Sequence, residues 1–120
     1  MFRAIFYWNE RGEMPVKDFI ESLPEKIRQK IAAWIDLLEH EGPNLRRPYA
    51  DKVKDKLYEL RIRLGSDNIR VLYFFFMKDK AILLHGFRKK DWKIEENDLE
   101  IAQRRAVDFI SRYEKGKIKF

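Results

Sequence analysis

The chain has 120 residues, 45% of them hydrophobic, with a formal net charge of +6. That length buries one core and is too short for two ordinary domains, so one domain over residues 1–120 is expected. The absence of cysteine excludes a disulfide framework and a thiolate zinc site, and two histidines leave no metal reading and imply no cofactor.

Residues 2–8, dense in aromatic and aliphatic side chains, predict a first strand that stops at the turn-prone residues 9–12. A short helix is predicted over 15–23, with Val16, Phe19, Ile20 and Leu23 on one side. Pro24 opens a second, where a missing N–H costs nothing, and Ile27, Ile31, Trp34 and Leu38 recur along it at helical spacing until Gly42-Pro43. Core packing accounts for that stripe. Residues 43–56, charged around Arg46-Arg47 and Lys52 to Lys56, read as a connecting loop. Strands are predicted over 57–64, 69–76 and 81–87, with turns at 65–68 and 78–80 short enough for antiparallel hairpins. In the first of these, alternation puts Tyr58, Leu60, Ile62 and Leu64 on a core face and Glu59, Arg61 and Arg63 on an open one. Asn97 reads as an N-cap with Glu100 three residues on, followed by an apolar stripe through Leu99, Ala102, Ala106, Phe109, Ile110 and Tyr113. The expected class is α+β in the order β-α-α-β-β-β-α. A small, mostly antiparallel sheet would pack with two N-terminal helices and one C-terminal helix.

No apolar run reaches the roughly 20 residues of a membrane span, and residues 1–6 lead straight into a strand rather than a cleavable signal. A soluble, cytoplasmic protein with no membrane partner is expected.

Charge is distributed unevenly. Residues 1–50 hold 8 Lys/Arg against 8 Asp/Glu, residues 51–93 hold 12 against 6, and residues 94–120 hold 6 against 6. The whole excess sits on the central third. Arg61, Arg63, Arg70, Arg88, Lys89 and Lys90 come from neighbouring strands and strand ends, so an antiparallel sheet can gather several of them at one rim. Guanidinium groups grip phosphate oxygens in two prongs, and a lysine crowded by cations loses its proton more readily. Such a group of side chains can hold a scissile phosphate and assist attack by a ribose 2′-OH. Basic residues on a strand also discourage edge-to-edge aggregation or simply keep a surface solvated.

Phe87 and Trp92 flank the basic run and suit stacking of unpaired bases, although either can close the core beneath the last helix. His85 alternates with Ala81, Leu83 and Phe87, which favours the apolar side and a hydrogen-bonded structural role over general-base duty. No Gly-rich phosphate loop, Ser/His/Asp set or spaced carboxylate pair is present.

The segments 57–61 (LYELR), 69–73 (IRVLY), 84–90 (LHGFRKK) and 99–106 (LEIAQRRA), in this order and spacing, resemble the HigB-like branch of the RelE/ParE toxin superfamily, including its phage-derived members. The resemblance implies a RelE-like fold and the toxin of a type II toxin–antitoxin pair, an mRNA endoribonuclease that acts in the ribosomal A site without a metal. It also implies a helix-turn-helix antitoxin as partner, with operator DNA reached only through that antitoxin. Matched position by position, the resemblance gives Arg70, Arg88, Lys89 and Lys90 as catalytic residues. It gives Arg61 and, more loosely, Lys54 and Lys56 as phosphate contacts, to which the basic cluster adds Arg63 and the aromatic flank adds Trp92 as an RNA contact. Where many relatives carry a Thr-x-Lys-x-Pro-like segment, this chain has residues 91–95, DWKIE. Two other functions fit the same fold: a ParE-like gyrase inhibitor, which would damage DNA and leave messages intact, and a non-catalytic nucleic-acid or protein-binding module.

Overall fold

A computed structural model describes residues 1–90 and 96–120. Strand β1 (Arg3–Phe6) is followed by helices α1 (Pro15–Glu21) and α2 (Glu25–Glu41), then by strands β2 (Ala50–Lys54), β3 (Leu57–Leu64), β4 (Asp67–Phe76) and β5 (Lys80–Arg88) and helix α3 (Glu96–Glu114). The expected α+β class holds. The strands form one sheet in the order β1-β5-β4-β3-β2, antiparallel except where β1 runs parallel to β5.

One prediction is corrected here, because the supposed loop 43–56 carries a short helical turn, Gly42–Asn44, and the edge strand β2. Only Ala50 and Val53 along β2 face apolar neighbours, and lysines punctuate it. An edge strand of this kind lacks clean alternation because one side is solvated and its charges guard an exposed edge. A second expectation differs, since Glu96 is already helical and Asn97 therefore lies within α3 rather than capping it.

Helices α1 and α2 cover one face of the sheet, where Val16, Leu23, Ile27, Ile31 and Leu38 meet Leu60, Ile62, Ile69, Val71, Tyr73 and Leu83. Helix α3 covers part of the other, where Ala102 and Phe109 meet Leu72, Phe74, Ile82 and Leu84. Aromatic edges meet ring faces there, with Phe76 and Phe109 at 5.3 Å and 89°. Among the described residues no helix is long and apolar enough to cross a membrane.

One irregularity decides what faces where at the end of β5. Leu72 pairs with His85 while the next residue, Tyr73, pairs with Leu83, so Leu84 is an extra residue on β5. A bulge of this kind re-aims the side chains that follow it. Ala81 and Leu83 lie on the α1/α2 face, whereas His85 and Phe87, opposite Leu72 and Arg70, turn to the α3 face.

Candidate functional site

Directly paired residues of antiparallel strands project to the same side. Glu59 is on the α3 face of β3, so Arg61, two residues along, and Arg70, paired with Arg61, share that face with Phe87. The ladder continues past the strand end through Lys89, whose N–H donates to the Asn68 carbonyl at 2.7 Å. A basic corner results, set by the β3–β4 hairpin and lying away from the α3 residues that cover Phe74 and Phe76.

At its centre is Glu59, only 5% exposed. Its Oε1 accepts from Arg70 Nε at 3.0 Å and its Oε2 from Arg61 Nη1 at 2.8 Å. Arg70, itself 4% exposed, also donates through Nη1 to the Asn68 side chain and to the Ile69 carbonyl. Arg61 is more open, with a quarter of its side chain accessible. Sequence alternation put Glu59 on the open face, and the face is right. It is buried there because two guanidinium groups neutralise it, the usual condition for burying a glutamate.

Lys89 is half-buried beside this network. Desolvation holds its ammonium pKa below the ordinary lysine value, and Arg70, Arg61 and Arg47 push it further down while Glu59 opposes them. Burial likewise lowers Arg70, assisted by Arg61 and Arg63 and resisted by Glu59. A guanidinium starts so high that it stays charged regardless.

The other anticipated residues are spread out. Arg63 is exposed one step further along β3. Arg88 pairs with Ile69, a core residue of the α1/α2 face, so it leaves the sheet on the side opposite Arg70 and pairs with Asp67. Lys90 is exposed beyond the strand. Lys54 and Lys56 stand exposed around the β2–β3 turn, and Lys56 is about 16 Å along β3 from Arg61 at a strand rise of about 3.3 Å per residue. Trp92 lies outside the described residues.

His85 is held by Asp98 of α3, with Nε2 2.8 Å from Oδ1, and its ring stacks on Phe87 at 5.2 Å. Burial lowers its pKa below 6.5, Asp98 raises it and Arg105 lowers it. Phe87 packs at the edge of the α3-side core. Three further polar partners were not apparent from the sequence: Asn68, Asp98, and Arg47, which pairs with Asp51 at 2.7 Å next to Glu59 on β2. Only the register of β2 on β3 reveals the last.

A separate open groove of about 630 Å³ runs between the loop after β1 and α3, lined in part by Tyr7, Glu13, Asp18, Arg105 and Asp108. There Tyr7 donates its hydroxyl to Asp108 at 2.6 Å, and burial with that carboxylate raises the phenol to about 12. It holds none of the anticipated residues.

Residues 18–107 match the family described as phage derived protein Gp49-like, a span that contains the whole basic corner. The chain is also 38% identical over 100 residues to "Putative toxin HigB3" of Mycobacterium tuberculosis strain H37Rv, an alignment covering 80% of this chain and 88% of that relative. The chain thus belongs to the phage-derived Gp49-like family, with the RelE/HigB-type toxin fold.

Proposed function

We propose that this HigB-type toxin homologue is the toxin of a type II toxin–antitoxin pair, and that it cuts messenger RNA in the ribosomal A site at the corner formed by Arg61, Arg70 and Lys89. The observation that carries this reading is the convergence, on one sheet face, of two guanidinium groups held by a shared carboxylate, with one desolvated lysine beside them. A helix-turn-helix antitoxin would neutralise the toxin and connect it to operator DNA.

In this mechanism the half-buried Arg61 and the Arg70 Nη2 edge receive the non-bridging oxygens of the scissile phosphate. The 2′-oxygen attacks phosphorus and its proton passes to water. The bond to the 5′-oxygen breaks, and the Lys89 ammonium gives that oxygen a proton. A 2′,3′-cyclic phosphate and a 5′-hydroxyl result. A lowered ammonium pKa makes Lys89 a better acid near neutrality, which is the direction its surroundings impose. Arg88, directed to the other face, takes no part in this scheme, and Lys54, Lys56, Arg63 and Lys90 serve longer-range attraction of RNA.

Inducing the chain alone in bacteria, with primer-extension mapping of transcripts, tests the reading. Growth arrest with discrete new 5′ ends inside translated regions is the expected result. Arrest with intact messages and broken DNA would favour a gyrase poison, and unimpaired growth a binding module.

A further inference from the structure

We propose that Glu59 is the positioning residue of this site, a single carboxylate that clamps Arg61 and Arg70 so that their remaining N–H groups are aimed at one phosphate. The inference rests on the ribonuclease reading of the same corner.

Each oxygen of Glu59 takes one guanidinium, and the two arginines come from different strands paired directly opposite each other. Two bonds from one planar group fix both side chains relative to each other more tightly than separate partners would. Arg70 is fixed further by Asn68 and the Ile69 carbonyl, so among the described residues the N–H groups it has left are on Nη2, while Arg61 keeps Nε and Nη2. Among long side chains with several rotatable bonds, that restraint is what holds a two-guanidinium cradle ready before RNA arrives.

Charge fits the same role. Arg61, Arg70 and protonated Lys89 carry three positive charges and Glu59 one negative, leaving two. A phosphodiester in the ground state carries one negative charge, and the five-coordinate species formed by 2′-oxygen attack carries close to two. Glu59 therefore matches the site to the transition state rather than to the bound strand.

Glu59→Gln in the full chain keeps the volume and removes the charge. On ribosomes carrying a defined message, kcat should fall about 10- to 100-fold, the scale of a misaligned catalytic group, while KM stays level or drops. The alkaline limb of the pH–rate profile should also move to lower pH, because Lys89, faced among the described residues by Arg70, Arg61 and Arg47, loses the one anion opposing them. Glu59→Asp keeps the charge but withdraws it by one methylene, so it should slow cleavage with the limb in place. Should the Gln variant not fold, the Asp variant decides. A kcat within twofold of wild type in the folded variant, with an unmoved limb for Gln, overturns the proposal. A wild-type chain that cuts no RNA in this assay instead overturns the ribonuclease reading and this inference together.

Discussion

Arg70 and Arg88 leave the sheet on opposite faces, although they belong to adjacent strands. Arg70 pairs with Phe87 on the α3 face, and Arg88 pairs with Ile69 on the face covered by α1 and α2. Arg88→Ala should therefore leave single-turnover cleavage within about threefold of wild type. Its exposed contact with Asp67 should be worth at most about 1 kcal/mol in urea denaturation. A hundredfold loss of cleavage would return Arg88 to the site.

Removing Arg70 should test stability before chemistry. Arg70→Ala strips a 5%-exposed carboxylate of one of its two cations, and breaking a buried pair from one side costs about 3–5 kcal/mol. Replacing both members, as Glu59→Leu with Arg70→Leu, should recover most of that stability in the same urea titration while remaining inactive. Arg70→Lys is the better probe of function, since it retains the charge and loses the fork. Equal stability for Arg70→Ala and wild type would contradict the burial described here.

The order of elements is legible in the sequence wherever periodicity is clean, as in the alternation of Tyr58, Leu60, Ile62 and Leu64 or the stripe of Ile27, Ile31 and Leu38. Three features of the site were not. β2 carries too few apolar residues to register as a strand, yet it brings Asp51 and Arg47 to the corner. The bulge at Leu84 leaves no signal in a run of aliphatic residues, so His85 and Phe87 seemed to share a face with Ala81 and Leu83 when they do not. Glu59 looked solvated because acids usually are, and only the pairing of Arg61 with Arg70 shows why it is not.

The His85–Asp98 pair gives stability a defined pH dependence. Burial is the larger influence and holds the folded pKa below 6.5, so the unfolded chain binds more protons between the two values. This contribution is fully present above pH 6.5 and is lost as pH falls through the folded value. Urea titrations across that window should show a slope that His85→Gln abolishes. Asp98→Asn, which removes the group raising the folded pKa, should move the lower end of the slope to more acid pH. A His85→Gln protein with the wild-type slope would sink this assignment.

Gly86 lies between His85 and Phe87 and faces α1. A Cβ placed there would come 2.6 Å from the Phe19 ring. Gly86→Ala should cost about 1–3 kcal/mol by overpacking, and markedly less in a Phe19→Leu background. Additive effects of the two substitutions would show that the ring is not what excludes a side chain at this position.

The most direct test of the cleavage site is the single-turnover rate of Lys89→Gln on message-programmed ribosomes, with folding checked by circular dichroism. Loss of a general acid predicts a fall of about 100- to 10,000-fold, with RNA still bound. Cleavage at the wild-type rate by a folded Lys89→Gln protein would contradict the assignment of the Arg61, Arg70 and Lys89 corner as the place where RNA is cut.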